Sequence, residues 1–288
     1  MTKILVTGAS GFIGRALVKK LNSLGLQVIS VNSADGDIAD ILTLEKHVQQ
    51  NIAHVFHLAG KTFVPDSWVN PQGFYQTNVL GTVSILEFCR SNSIPLTYVS
   101  AYVYGHPNTL PICEDSAIKP NNPYAMTKWL AEQACEFYSN TYSFPVTTIR
   151  PFNAYGIGQS QNFLIASIIS QALDGGESIV VKDLTPRRDY VYLEDLLNAL
   201  AATLNTENRY RVYNIGSGVS LSVKNVIDVI QNVVGINKSI ICDEVVRRSE
   251  LIDVVADISR ARNELGWQPE YSFQAGIESI INAALTSR

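Results

Sequence analysis

Residues 3–14 run from Lys3-Ile4-Leu5-Val6 straight into Thr7-Gly8-Ala9-Ser10-Gly11-Phe12-Ile13-Gly14. An apolar stretch enters a glycine-rich turn. The turn opens an amphipathic segment carrying Phe12, Ile13, Leu17, Leu21 and Leu24. Few folds accept that order so early in a chain. It predicts a first strand, a tight turn and a first helix, with the helix N-terminus free to hold phosphate. Gly8 suits the turn, Gly11 suits close approach of backbone to a pyrophosphate, and Gly14 suits tight packing of helix on strand. The spacing G-x-x-G-x-x-G is one residue longer between the first two glycines than the commonest dinucleotide fingerprint. Taken alone, these glycines also fit a strand-to-helix turn with no ligand.

The first half of the chain continues the alternation. Strand-like runs at 4–6, 27–31, 55–58, 96–100 and 146–150 are separated by helical patterns such as 82–90 and 124–138. Alternation of this kind builds an α/β fold, a doubly wound parallel sheet of Rossmann type. Beyond residue 153, Gly156, Gly158, Gly175, Gly176 and Pro186 break the pattern. Helices near 221–234 and 274–285 are expected in a smaller, interwoven cap. The expected division is a dinucleotide-binding domain at 1–153, with segments near 189–215 returning to it. Residues 154–288 are then mainly a substrate-binding cap.

Composition excludes several classes. With 288 residues the chain can bury a full core, and its net charge of −4 comes without a cluster of Lys and Arg. No nucleic-acid partner and no membrane surface are expected. Cys89, Cys113, Cys135 and Cys242 are far apart, so reduced thiols are expected, with no metal site. No secretory pattern or membrane-length apolar run is present, and a cytoplasmic location is expected.

Tyr124 and Lys128 stand four apart at the start of a predicted helix and share one face. A phenol with a pKa near 10 is a poor base at neutral pH. A nearby ammonium favours the phenolate and lowers that pKa, so the tyrosine can exchange a proton with a sugar or alcohol hydroxyl. An exposed Tyr and Lys on a surface helix is the alternative. Ser100, ending an apolar run, is placed to hydrogen-bond the reacting oxygen. Asn78 either orients the lysine through backbone or water contacts or serves as a helix amide.

These residues are joined by others in a fixed order: Asp37-Ile38, His57-Leu58-Ala59-Gly60, Asn78 to Gly81, Ser100 to Gly105, Arg150-Pro151-Phe152-Asn153, Arg188-Asp189-Tyr190-Val191 and Leu265-Gly266-Trp267. Together they resemble the extended short-chain dehydrogenases of the nucleotide-sugar epimerase/dehydratase group, nearly end to end. The resemblance implies a catalytic Ser100, Tyr124 and Lys128, supported by Asn78. It implies that Gly8, Ser10, Gly11, Phe12, Ile13 and Gly14 hold the pyrophosphate and that Asp37 and Ile38 flank the adenine. Leu58, Ala59, Gly60 and Lys61 would line the cofactor, Lys128 would grip the nicotinamide ribose, and Pro151 and Asn153 would close over the nicotinamide. Arg188 and Arg247 would grip the diphosphate of a nucleotide-sugar, with Glu250 at its ribose or base. In the family pattern a proline follows the second arginine, and here it is Arg248. A solvated salt-bridge cluster is the other reading of the arginines. Asn162 and Phe163 would cover the sugar and base, with Asn153, Ala101 and Tyr102 beside the sugar. Asp189 is expected to be structural, tying its loop to the helix at 193–203. A homodimer through helices 82–90 and 124–138 is also implied.

The same resemblance narrows the reaction. The 4,6-dehydratases carry an Asp-Glu pair after the hydroxyl residue, where this chain has Ala101-Tyr102. The epimerase-reductases of the fucose-synthase kind need a cysteine at the second position. A 4-ketoreductase and a 4-epimerase remain. The stretches 61–68 and 77–81 look most like GDP-4-keto-6-deoxymannose reductases, which puts the reductase, in deoxysugar biosynthesis, ahead. Two other classes are a non-catalytic dinucleotide-binding protein and a reductase of a non-nucleotide carbonyl. After the second strand, Asn32 and Ser33 offer neither the acid typical of NAD sites nor the arginine typical of NADP sites, so either cofactor is open. Asp35 is a possible substitute acid.

Overall fold

The computed structural model describes residues 2–206, 209–243 and 251–286. Six parallel strands form the central sheet: β1 (Lys3–Thr7), β2 (Gln27–Val31), β3 (Ile52–His57), β4 (Leu96–Val99), β5 (Val146–Pro151) and, later in the chain, β9 (Tyr210–Ile215). Their spatial order is β2-β1-β3-β4-β5-β9. The direction of winding reverses between β1 and β3. In open α/β sheets that reversal leaves a crevice beyond the strand ends, where ligands bind. β4 and β5 are buried at every position, as a strand covered on both faces must be.

Helices cover the sheet. They are α1 (Phe12–Ser23), α2 (Leu42–Glu45), α3 (Val64–Val69), α4 (Pro71–Phe74), α5 (Gly81–Asn92), α6 (Pro123–Tyr142), α7 (Leu164–Leu173), α8 (Leu193–Ala202), α9 (Val223–Val234), α10 (Ser259–Leu265) and α11 (Phe273–Thr286). Leu17 and Leu21 of α1 pack with Leu196 and Leu200 of α8 in one core. Ile85, Leu86 and Cys89 of α5 pack with Ala131 and Cys135 of α6 in a second. A third core lies under α7, α9 and α11. Beside it run the short strands β6 (Asn153–Tyr155), β7 (Ser178–Val181), β8 (Arg187–Tyr192), β10 (Ser220–Ser222) and β11 (Ser239–Cys242), paired as β10-β8-β6 and β11-β7.

The local sequence explains the key helix starts. Asn122 caps α6, its Oδ1 accepting from Ala125 N at 2.9 Å, and Pro123 occupies the first turn. Ser222 caps α9 in a reciprocal box with Asn225. Gly8 has φ of +66°, and a Cβ there would lie 2.7 Å from Ala59 N. A Cβ on Gly14 would collide with the Gly8 carbonyl oxygen. The turn therefore admits no side chain at either position.

Asp189 departs from expectation. Its Oδ1 accepts from Ser217 N at 2.6 Å and Ser217 Oγ at 2.7 Å, and its Oδ2 accepts from Gly218 N and Ala256 N at 3.0 Å. The carboxylate secures the loop after β9 rather than α8, because four donors already saturate it.

Candidate active site

One cleft of about 1800 Å³ follows the strand ends at the switch point. Pockets for one small ligand run to roughly 1,000 Å³, so this cleft has room for a dinucleotide and a second ligand. Every expected cofactor residue but Asn78 lies on its wall: Gly8 and Ser10 to Gly14 at the first turn, Asn32, Ser33, Asp37 and Ile38 after β2, Leu58 to Lys61 after β3, and Pro151 and Asn153 after β5. Ser100, Ala101, Tyr102, Tyr124, Lys128, Asn162, Phe163 and Arg188 line it too. Arg247 and Glu250 fall outside the described residues.

Tyr124 and Lys128 occupy the first two turns of α6, set there by the Asn122 cap. The Tyr124 ring meets Phe74 edge-on, centroids 6.4 Å apart. Burial pushes the Tyr124 phenol above its usual range. The direction is opposite to the one expected, because desolvation dominates. Lys128 Nζ instead donates to the Val99 carbonyl at 2.6 Å and lies over the Tyr98 ring. Burial draws Lys128 down to about 8, against the opposing pull of Glu132.

Ser100 is 4% exposed, and its Oγ has no hydrogen-bond partner among the described residues. A buried hydroxyl without a partner costs free energy unless a ligand completes it. The glycine cradle and this hydroxyl both fit a nicotinamide dinucleotide with a polar second ligand.

Asn78 is 1% exposed and lies behind the wall, in a π-helical turn (Tyr75–Leu80) between α4 and α5. Such turns recur at functional sites. Asn78 Oδ1 accepts from Lys61 N at 2.8 Å, and Nδ2 donates to Lys61 O and Thr127 Oγ1 at 3.1 and 2.9 Å. It therefore fastens the exit of β3 to α6 one residue before Lys128.

A buried relay reinforces this exit. Thr82 Oγ1 donates to Asn78 O, so it accepts from His57 Nε2, leaving His57 Nδ1 to accept from Thr7 Oγ1 at 2.7 Å. Thr7 Oγ1 accepts in turn from Ala59 N. Burial lowers His57 to about 3, so the ring is neutral and the relay stays intact.

After β2 the chain turns back on itself. Asp35 Oδ2 accepts from Asn32 N at 2.9 Å, and Lys46 stands 3.7 Å from the other oxygen. Its carboxylate is turned back on its own loop, and Asn32 and Ser33 face the cleft. The substitute acid raised by the sequence is thus engaged elsewhere. On the opposite side, Arg188 donates to Arg187 O and Leu251 O at 2.7 Å, while Phe163 meets Phe63 edge-on across the cleft. Phe74 and Asn122 belong to none of the motifs read in the sequence, and only the fold shows their place.

The profile of the NAD dependent epimerase/dehydratase family matches residues 4–216. The chain belongs to this family. The epimerase/dehydratase relatives are similar over nearly the full length. A GDP-6-deoxy-D-mannose reductase of Pseudomonas aeruginosa is 29% identical, covering 97% of this chain and 96% of the relative. A UDP-glucose 4-epimerase of Lactobacillus helveticus is 29% identical over 98% of this chain and 96% of its own. The structure of RMD from Pseudomonas aeruginosa complexed with NADPH superposes with a TM-score of 0.92 at 29% identity, covering all of both chains. The protein is an NAD(P)-dependent enzyme acting on nucleotide-sugars, a 4-epimerase or reductase of the extended short-chain dehydrogenase type. Among the described residues, no helix is long and apolar enough to cross a membrane.

Proposed function

We propose that the protein reduces the C4 ketone of a nucleotide-activated 4-keto-6-deoxyhexose. The observation that carries this reading is that Asp35, the first acid after β2, is folded back onto Asn32 N while Asn32 and Ser33 face the cleft. An acid there binds the ribose 2′-hydroxyl of NAD and repels a 2′-phosphate. Asn32 and Ser33 can accept the phosphate. A reductase exchanges its cofactor at every turnover, whereas a 4-epimerase keeps NAD bound.

When bound, the nicotinamide supplies the hydride that reduces the ketone. Ser100 Oγ donates a hydrogen bond to the ketone oxygen. Tyr124 Oη, kept protonated by burial, gives its proton to that oxygen as charge develops there. The Lys128 ammonium stabilises the phenolate left behind. Arg188 faces the substrate diphosphate, where a planar guanidinium pairs two oxygens. Residues 1–153 hold the dinucleotide and 154–288 mainly hold the sugar nucleotide. Because the ammonium is present below about pH 8 and lost above it, turnover falls on the alkaline side.

Mass spectrometry of the dinucleotide released on denaturing fresh protein tests the reading. An empty protein that binds added NADPH is expected. Near-stoichiometric retained NAD would establish the 4-epimerase instead.

The reading includes a homodimer. Leu130, Phe137 and Tyr142 are exposed on α6, which packs beside α5. Pairing α5 and α6 across a two-fold axis would cover them in a four-helix bundle. Light scattering at micromolar concentration should give twice the chain mass, and a monomer would remove this element.

A further inference from the structure

Ser100, one residue past β4, continues its pairing by donating from N to Ile149 O at 2.8 Å, so it shares a face of the sheet with Tyr98, because strand residues two apart point the same way. Ser100 ends at the cleft. Tyr98, one step deeper, lies under Lys128: its ring centroid is 4.4 Å from Nζ. The Val99 carbonyl between them accepts from the same ammonium at 2.6 Å. One short strand end thus holds the lysine from two directions.

The surroundings give the ring its importance. Glu132, one turn further along α6, receives three hydrogen bonds from Arg150 at 2.6–3.1 Å, so it reaches Lys128 only through space. Cys135 on α6 is a buried thiol pushed well above its usual range, so it is uncharged. His57 on β3 is neutral, and Tyr124 on α6 is protonated. The Tyr98 hydroxyl stands near Thr82 but completes no hydrogen bond among the described residues. A hydroxyl without a bond does not explain this residue, but the ring face does.

We propose that Tyr98 is a positioning residue for Lys128, its π face holding the ammonium charged and aimed at the cleft in addition to the through-space pull of Glu132. The face of an aromatic ring attracts a cation most strongly where water is excluded. The proposal rests on Lys128 serving the reaction only for its kinetic half, and the charge on the lysine can be read without turnover.

The full-length protein, labelled with carbon-13 at the lysine ε positions, is titrated by NMR. The Lys128 signal is assigned by its loss in Lys128→Met. Tyr98→Phe keeps the ring and should keep both the Lys128 midpoint and the alkaline limb of kcat/KM. Tyr98→Leu should lower the midpoint by about one pH unit, because the charged form loses its support. The alkaline limb should move down with it. Tyr98→Met carries the same expectation should the leucine variant not fold. An unchanged midpoint in the aliphatic variants overturns the proposal. So does an equal fall in Tyr98→Phe, which would assign the effect to the hydroxyl. Should the protein prove to be an epimerase, the NMR midpoints still decide.

Discussion

Tyr124→Phe is expected to lower kcat by roughly 10²–10⁴-fold, the usual contribution of a positioned general acid. The thermal midpoint and dinucleotide affinity should stay near those of the parent. The phenyl ring keeps the edge contact with Phe74, and the Asn122 cap on α6 does not involve the phenol. Lys128 is held by Val99 O and Tyr98, not by Tyr124, so the ammonium should remain in place. Steady-state kinetics beside a thermal melt separates these effects. Turnover close to the parent would place the proton donor elsewhere.

The second large effect is on stability. Glu132 and Arg150 form an ion pair at 2.6 Å with almost no exposure of either side chain. Arg150 also donates to Tyr104 Oη at 2.8 Å and Glu114 O at 3.1 Å, and Tyr104 passes a hydrogen bond on to Asn214. The pair thus ties α6, β5, β9 and the loop before α6 together. Glu132→Gln keeps the volume but leaves a buried guanidinium without its counter-charge. Breaking a buried pair from one side costs about 3–5 kcal/mol. Chemical denaturation should show a loss of that size, and the activity should fall too because Lys128 loses the Glu132 charge behind it. A loss within the range of ordinary surface substitutions would show that water reaches the pair.

Parts of this site were legible in the chain itself. The run into Gly8 and Gly14 specified a strand, turn and helix, and the structure shows why: Gly8 is left-handed against Ala59, and Gly14 is packed on the Gly8 carbonyl. The spacing of Tyr124 and Lys128 specified a shared helix face, which holds. What depended on long-range contact was not legible. Tyr98 in an apolar strand reads as core, and nothing local says that a lysine from α6 lies over it. Asn78 reads as a helix amide, yet its partners are 17 and 49 residues away. Asp35 reads as a candidate ribose acid until its loop closes on Asn32. The strands β6 to β8, β10 and β11 escaped because several span only three or four residues, too few for an alternation to show. Asp189 reads as structural, but its four donors come from segments that no spacing rule connects.

The central claim is ketone reduction on an activated sugar with an exchangeable cofactor. The direct measurement gives the purified protein NADPH and GDP-4-keto-6-deoxymannose, follows absorbance at the nicotinamide band and identifies the sugar by NMR. The account predicts stoichiometric NADPH consumption with a new C4 hydroxyl in the product, and little reaction with UDP-glucose. Interconversion of UDP-glucose and its C4 epimer on retained NAD, without NADPH consumption, would contradict it.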